Sequence, residues 1–286
     1  MSADNTSTTD EQVQRKSFRA RLVQEAREWL ATLAVFVPAF FVFSLVLFEL
    51  RVIPSESMIP NLRVGDRVVV SKFAYGYSRY SVPWGLGRVL PLGDGRLFAR
   101  APERGDVAVF KHPHFDRVMI KRIIGLPGDT VQLRDEQLFL NGRPVPTEYL
   151  GVKRMVAHGE AQPADVRAYR ETVGDESWIT HQWVAGFPGD STPVFEVPAG
   201  HLLFIGDNRD NSKDGRDLSG HCPVRGGTIS QAGCPLPAGL PARDASVGFV
   251  PMDHLIGRAE TVLFSTYSCP NRPGLDCPEG KLWKGL

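Results

Sequence analysis

Two serines separated by one residue lie within residues 53–60 (Ile-Pro-Ser-Glu-Ser-Met-Ile-Pro). Proline fixes φ and biases the preceding residue towards extended geometry, so we expect a stiff, non-helical loop leading into a strand at residues 67–70. Side chains of an extended chain alternate, which predicts that Ser55 and Ser57 point the same way. One hydroxyl could attack a carbonyl carbon while the other donates a hydrogen bond to the oxyanion. A polar loop without chemistry is an equally good interpretation of this stretch alone.

A lysine and an arginine interrupt an apolar run at residues 118–124 (Val-Met-Ile-Lys-Arg-Ile-Ile). In a strand, Lys121 and Arg122 lie on opposite faces, so one of the two cations is driven into apolar surroundings. Desolvation disfavours an ammonium group, and lowering the pKa of Lys121 from about 10.4 to about 8 costs roughly 3 kcal/mol. The neutral amine could then act as a general base that activates a hydroxyl. A lysine that extends its ammonium group out of a sheet edge is the alternative.

A third polar stretch occupies residues 206–216 (Gly-Asp-Asn-Arg-Asp-Asn-Ser-Lys-Asp-Gly-Arg). Its Asp, Asn and Ser side chains predict a tight turn in which Asp214 and Arg216 can pair. Residues 210–215 resemble the start of a calcium loop, but the acid required at the twelfth position is His221, so we expect no metal. The sequence lacks Ser-x-x-Lys, Gly-x-Ser-x-Gly, Gly-x-x-x-x-Gly-Lys and His-Glu-x-x-His. A serine nucleophile with a distant lysine base remains.

An uncharged run of 19 residues, residues 30–48, is just long enough to span the hydrocarbon core of a membrane. No small-residue cleavage site follows it, so we expect a retained anchor, with a buried helix of a soluble domain as the alternative. Basic residues precede the run, and their position predicts a cytoplasmic N-terminus with everything after Arg51 outside. These residues are Arg15, Lys16, Arg19, Arg21 and Arg27.

The cysteines agree with this orientation. Cys222, Cys234, Cys269 and Cys277 lie late in loop-like sequence and lack the spacing of a zinc site. We expect two disulfides in an oxidising compartment, with sequential pairing favoured but not deducible. The net charge is +1, so no overall field favours nucleic acid or an acidic partner.

After the anchor, short apolar or alternating runs bounded by Gly, Pro or Asp predict a mainly β protein with antiparallel strands. Asn141-Gly142 predicts a hairpin turn. Residues 150–198 are polar and irregular, which suggests a small inserted β subdomain, and residues 217–246 read as an elaborated loop. The predicted strands are residues 67–70, 106–110, 118–124, 130–133, 137–140, 202–205 and 259–264.

Several of these stretches, in this order, resemble the sequence boxes of the bacterial type I signal peptidases (leader peptidases). They are residues 54–60, 104–107 (Arg-Gly-Asp-Val), 120–129 (Ile-Lys-Arg-Ile-Ile-Gly-Leu-Pro-Gly-Asp), 206–216 and 248–251 (Gly-Phe-Val-Pro). The resemblance implies an antiparallel β catalytic domain, of the signal peptidase or LexA-like type, with a smaller inserted β subdomain and one N-terminal transmembrane helix. The expected domains begin with a cytoplasmic tail and basic juxtamembrane helix at residues 1–28 and the anchor at residues 29–50. The catalytic domain follows in two parts, residues 51–132 and residues 200–286, and the insert at residues 133–199 separates them. The second part contains a disulfide-containing loop at about 217–246.

The resemblance also implies roles for individual residues. Ser57 would be the nucleophile and Lys121 the general base of a serine endopeptidase, while the Ser55 Oγ and the Ser57 backbone N–H would form the oxyanion hole. Three further residues are implied to support the site. Ser212 would orient the Lys121 amine, and Asp214 and Arg216 would brace the turn. No metal or organic cofactor is implied.

The implied substrates are secreted preproteins, cut after small-x-small (Ala-x-Ala-like) sequences on the outer side of the cytoplasmic membrane. The implied partners are their signal peptides, membrane lipid and the secretion translocon, with no role for nucleic acid. The chain departs from the family pattern in Glu56 between the serines, a single predicted span, and the long segment after Arg216. Two alternatives are a self-cleaving Ser–Lys repressor-type protease and a non-enzymatic membrane-tethered β domain for envelope assembly.

Overall fold

The computed structural model describes residues 7–82, 87, 95–156, 162–184, 186, 188–216, 228–229, 247–267, 275–276 and 282–286. They form two compact units, an N-terminal helix and a β unit that begins at Leu47. The helix, α1, spans Ser7–Val46, and its segment Arg21–Phe43 is long and apolar enough to cross a membrane. The predicted anchor therefore lies in a helix, but Phe48, the last residue of the predicted run, already belongs to a strand.

The β unit confirms the predicted fold class, because its strands pair almost entirely antiparallel. In chain order the strands are β1 (Phe48–Val52), β2 (Asp66–Ser71), β3 (Val107–Lys111), β4 (Val118–Gly125), β5 (Thr130–Arg134), β6 (Gln137–Leu140), β7 (Arg143–Pro144), β8 (Thr147–Val156), β9 (Pro163–Val173), β10 (Glu176–Trp183), β11 (Val194–Glu196), β12 (His201–Ile205), β13 (Thr228–Ile229), β14 (Phe249–Pro251), β15 (Leu255–Ser265) and β16 (Leu282–Gly285). Every strand predicted from the sequence overlaps one of these.

The described strands form three sheets. The largest has the order β1-β2-β15-β3-β4-β12-β14, with β16 added to β15. A second sheet has the order β13-β11-β5-β6-β7, in which β11 and β13 pair parallel, and a third has the order β10-β9-β8. Because the second and third sheets lie between β4 and β12 in sequence, apart from β13, the chain leaves the main sheet after β4 and returns to it at β12.

Strand β4 lies between β3 and β12 in the main sheet, and its last six residues are buried. The apolar run that predicts this strand therefore belongs to a central strand, in which both faces are covered. Both interrupting cations are buried, Lys121 at 3% exposure and Arg122 at 5%. The sequence predicts that one of the two cations is driven into apolar surroundings, and the fold buries both, because each face of β4 provides polar partners for its own cation.

The Asn141-Gly142 hairpin is confirmed. These two residues connect β6 to β7, with Leu140 paired to Arg143, and both have positive φ, 52° and 74°. Two consecutive residues with positive φ are what a type I′ hairpin turn requires, and Asn-Gly adopts this conformation at little cost.

The insert proves more regular than its sequence suggests. Strands β8, β9 and β10 are ten, eleven and eight residues long, where the sequence predicts an irregular segment with a small β subdomain. The apolar alternation is weak because several positions buried in these strands are polar, namely Glu171, Thr180, His181 and Gln182. The cysteines and most of the loop at residues 217–246 lie outside the described residues, so the two disulfides stay a prediction.

Candidate active site

The serine loop is a tight turn anchored by buried apolar side chains. The Ile59 N–H donates to the Glu56 carbonyl (3.0 Å) and the Leu62 N–H to the Met58 carbonyl (2.8 Å), while Met58 and Leu62 are fully buried. The loop is thus non-helical and leads into β2, as predicted, but residues 55–61 are bent rather than extended. The two serine hydroxyls nevertheless meet, because the turn brings the Ser55 Oγ to 3.4 Å from the Ser57 Oγ.

The main sheet brings Lys121 to the serine loop from β4. The Lys121 Nζ donates a hydrogen bond to the Ser57 Oγ and a second one to the Ile120 carbonyl (3.1 Å). Burial lowers the pKa of Lys121 from 10.5 to about 8, although the carboxylates of Asp214 and Asp207 act in the opposite direction. The lysine therefore gives up its proton much more readily than an exposed one, next to a hydroxyl that it can deprotonate.

Asn208 holds the serine loop against the turn at residues 206–216 with one backbone and one side-chain hydrogen bond. The Asn208 N–H donates to the Ser57 carbonyl and the Asn208 Nδ2 to the Glu56 carbonyl, both at 3.1 Å. A Cβ atom added to Gly206 would lie 2.6 Å from the Ser57 carbonyl oxygen and 2.6 Å from the Ser212 Cβ, so only glycine allows this approach. The Ser57 backbone N–H donates to no described group, which leaves it available to an oxyanion.

The turn itself is braced by a buried ion pair. Arg216 donates from Nε to the Asp214 Oδ1 and from Nη2 to Oδ2, both at 3.0 Å, and the Gly206 N–H donates to the same carboxylate at 2.9 Å. Burial alone would raise the pKa of Asp214, but the Arg216 guanidinium and these hydrogen bonds lower it. The structure thus brings together the Asp214–Arg216 pair that the sequence suggested.

Ser212 lies beside this pair and lines the same cleft as Ser57 and Lys121. Its Oγ is buried and has no hydrogen-bond partner among the described residues. The implied contact of Ser212 with the Lys121 amine is therefore not among the hydrogen bonds of this structure, and its orienting role stays a prediction.

A second buried ion pair was missed by the sequence reasoning. Arg122 pairs with both carboxylate oxygens of Asp207 at 2.8 Å and lies over the Trp178 ring, 4.9 Å from its centroid. The Asn61 Nδ2 also donates to Asp207 at 2.7 Å, which ties the end of the serine loop to the turn. A buried arginine in a central strand needs an acidic partner, so the sequence indicates that Arg122 has one, but it does not indicate that this partner is Asp207.

The site opens into a cleft of about 860 Å³. Its wall comes from the serine loop, the start of β4, the turn and the segment before β11. The lining includes Ser55, Glu56, Arg117, Met119, Thr192 and Lys213. A serine hydroxyl held against a buried lysine amine, on an antiparallel β scaffold, makes the Ser–Lys hydrolases the candidate class.

The matching family model is described as signal peptidase, peptidase S26, and it covers residues 26–264. The signal peptidase I of Rickettsia bellii (strain OSU 85-389) is 31% identical over 249 residues, which are 84% of this chain and 74% of that protein. The signal peptidase I of Pseudomonas aeruginosa is 36% identical over 184 residues, which are 60% of this chain and 59% of that protein.

A crystal structure of a signal peptidase I from Enterococcus faecalis V583 aligns with 56% of this chain and 97% of its own, at 23% identity and a TM-score of 0.28. The family assignment follows from the family model and the sequence relatives. This chain belongs to the signal peptidase, peptidase S26 family, and it is a peptidase by that membership.

Proposed function

We propose that this chain is a membrane-anchored serine endopeptidase that removes signal peptides from secreted preproteins, with Ser57 as the nucleophile and Lys121 as the general base. The observation that carries the proposal is the contact between the Lys121 Nζ and the Ser57 Oγ, in a site where burial lowers the lysine pKa to about 8. A useful fraction of such an amine is unprotonated near neutral pH. Family membership supports the substrate class.

In the acylation step, neutral Lys121 removes the proton from Ser57 as Oγ attacks the scissile carbonyl carbon. The oxyanion accepts hydrogen bonds from the Ser55 hydroxyl and the Ser57 backbone N–H. The C–N bond then breaks, the Lys121 ammonium gives its proton to the leaving amine, and an acyl-enzyme ester remains. Removing one oxyanion donor, as in Ser55→Ala, would cost about 3 kcal/mol, or roughly 100- to 1000-fold in rate.

In the deacylation step, the same amine removes a proton from a water molecule that attacks the ester carbon. The ester C–O bond breaks, and Lys121 returns the proton to the Ser57 Oγ. The buried Ser212 hydroxyl, which lacks a described partner, is suited to orient the Lys121 amine through this cycle. No step needs a metal or an organic cofactor.

The proposed cleavage site is small-x-small, as the resemblance implies. The proposed location is the cytoplasmic membrane, with the N-terminus in the cytoplasm and the β unit outside, because the basic residues that precede the span favour the cytoplasmic side. A signal peptide and an anchored enzyme in one membrane meet at high effective concentration. Membrane lipid and the secretion translocon are the partners that this location entails.

The test is cleavage of a preprotein with an Ala-x-Ala site by detergent-solubilised full-length protein. We expect the wild type to cut after the second alanine, and Ser57→Ala and Lys121→Met to be inactive while folded. Ser177→Ala and Lys153→Met are matched controls, because both side chains lie on the inserted sheet outside the cleft, and they should retain activity.

Wild-type activity in Ser57→Ala and Lys121→Met would refute the catalytic assignment. A wild type that never cuts would favour the non-enzymatic tethered domain, and cuts confined to its own chain would favour the self-cleaving protease.

A further inference from the structure

Asn208 holds the peptide group that joins Glu56 to Ser57. Its Nδ2 donates to the Glu56 carbonyl at 3.1 Å, and its backbone N–H donates to the Ser57 carbonyl, also at 3.1 Å. These two carbonyls lie before and after the Cα atom of Ser57 along the chain. One residue of the turn at residues 206–216 therefore fixes the peptide groups on both sides of the proposed nucleophile.

The hydrogen bond to the Glu56 carbonyl also determines where the Ser57 N–H points, because the two groups belong to the same planar peptide unit. This peptide bond is trans, so its C=O and its N–H point in opposite directions. With the carbonyl directed at Asn208, the N–H is directed away from it, and it donates to no described group. A hydrogen bond accepted by a peptide carbonyl also polarises the unit and strengthens its N–H as a donor.

The side chain of Asn208 makes this contact in place of its usual local one. Asn208 is the N-cap residue of the short 3₁₀ helix Arg209–Asn211, a position where an asparagine side chain ordinarily accepts a hydrogen bond from the first turn. Here the side chain makes no capping bond, and its Oδ1 is buried without a partner among the described residues. The bond to the Glu56 carbonyl is thus the one that this side chain makes within the described part of the chain.

We propose that Asn208 is a positioning residue of the oxyanion hole, which acts on the reaction by aiming the Ser57 N–H at the oxyanion. This inference rests on the proposed function and adds a residue to it. A preorganised donor stabilises an oxyanion only when it already points to the place where the charge develops. Without the Asn208 amide the peptide unit before Ser57 can rotate, while the Asn208 backbone N–H still holds the unit after it. We therefore expect slower chemistry with unchanged substrate binding.

The test variant is Asn208→Leu, which keeps the shape of the side chain, removes its Nδ2 and leaves the backbone hydrogen bond to the Ser57 carbonyl in place. With full-length protein in detergent and an Ala-x-Ala peptide, we expect kcat to fall by about 10- to 100-fold, less than for the loss of a whole donor, while KM stays within about twofold. The acidic limb of the pH profile should keep its midpoint near pH 8, because the contact between Lys121 and the Ser57 Oγ is untouched.

A peptide boronic acid with an Ala-x-Ala sequence tests the oxyanion hole directly. The Ser57 Oγ adds to the boron atom, Lys121 takes the proton, and the resulting tetrahedral anion places an oxygen where the oxyanion forms. Asn208→Leu should weaken inhibition by this compound by the same factor as it lowers kcat/KM. The same peptide with a terminal amide in place of the boronic acid forms no such adduct, and its affinity should stay as in the wild type.

Gln182→Met is the matched control. Gln182 is buried on β10 outside the cleft, its Nε2 donates to the Glu136 carbonyl at 3.2 Å, and its Oε1 has no described partner. Like Asn208→Leu, the substitution removes one hydrogen bond from an amide side chain to a backbone carbonyl. It should therefore lower the midpoint of urea unfolding by a similar amount, with kcat and boronate inhibition as in the wild type.

A purely structural role for Asn208 predicts a different result. The values of kcat, KM and the pH midpoint would change together, or the boronic acid and the amide would lose affinity equally, and either outcome overturns the inference. A kcat of Asn208→Leu within about twofold of the wild type overturns it as well. If this variant does not fold, Asn208→Ala, which needs no additional space, is measured in the same way. If the wild type neither cuts the peptide nor binds the boronic acid more tightly than the amide, the proposed function fails first.

Discussion

In the proposed mechanism, Lys121 is the residue on which the chemistry depends. It lies on a central strand, is 3% exposed, and donates to the Ser57 Oγ and to the Ile120 carbonyl. Because water does not solvate the ammonium group there, the neutral amine is favoured, and the pKa of Lys121 falls to about 8. The carboxylates of Asp214 and Asp207 limit the shift, so the amine remains basic enough to accept a proton from a hydroxyl.

This pKa predicts the pH dependence of the reaction. Below pH 8 the ammonium form dominates and cannot act as a base, so kcat/KM should fall about tenfold per pH unit on the acidic side and level off above pH 8. The measurement is kcat/KM for a peptide without titratable groups between pH 5.5 and 9.5. A rate that is independent of pH across this range, or an acidic limb centred below pH 6, would exclude Lys121 as the base.

The sequence predicts some residues of the candidate site but not the partners that the fold brings to them. Residue types and local patterns made Ser57 and Lys121 candidates with open alternatives, and the family resemblance singled them out, while the pattern of the turn by itself predicted that Asp214 and Arg216 can pair. The partners of Arg122 and Arg209 could not be anticipated, because Asp207 and Glu171 lie far away in sequence and only the fold brings them close. Pairings of this kind depend on strand order and register, which a local pattern does not encode.

At the scale of elements, a buried network holds the inserted sheet of β8, β9 and β10 against the turn at residues 206–216. The Glu171 carboxylate on β9 accepts hydrogen bonds from the Arg209 Nη2 and from the Trp178 Nε1 (3.1 Å). Glu171 and Arg209 are both about 2% exposed or less. Two other nitrogens of Arg209, Nε and Nη1, are buried without a described partner, so this guanidinium depends on Glu171 for its charge partner.

Glu171→Gln should therefore destabilise the protein by about 3 kcal/mol, because it leaves the Arg209 charge buried and unpaired. The free energy of unfolding, measured in urea, checks this. Glu176→Gln, an exposed residue at the start of β10, should stay within about 0.5 kcal/mol of the wild type. Equal stability of Glu171→Gln and the wild type would mean that this network contributes nothing. Because Arg209 lies in the turn that carries Ser212, we also expect activity to fall.

The same network explains why the insert was hard to predict. Its strands bury charged and polar residues where a sheet ordinarily buries apolar ones, so the period of two is hidden in the sequence. The main sheet was easier, because β4 and β12 bury continuous apolar runs. The strands that bury continuous apolar runs were thus predictable from the sequence. The strands that bury charged and polar residues were poorly predictable.

At the scale of the whole molecule, the chain divides into a helix suited to a membrane and a β unit that contains every residue of the candidate site. Leu47 belongs to the β unit, since its carbonyl accepts a hydrogen bond from the Lys72 N–H (2.9 Å) and β1 follows it at once. The residues of the described hydrophobic cores all lie in the β unit. We therefore expect α1 to attach the protein to the membrane and to take no part in the cleavage reaction.

This division predicts that a fragment of residues 47–286 folds and cleaves a soluble Ala-x-Ala peptide within about threefold of the full-length kcat/KM. On a preprotein embedded in vesicles the fragment should be slower by on the order of 100-fold, because it loses the effective concentration that a shared membrane provides. Replacing α1 by an unrelated apolar helix of the same length should restore that rate. If the fragment processes vesicle-bound preprotein as fast as the full chain, the helix contributes nothing to substrate capture, and a fragment inactive on the peptide would show that the site needs α1.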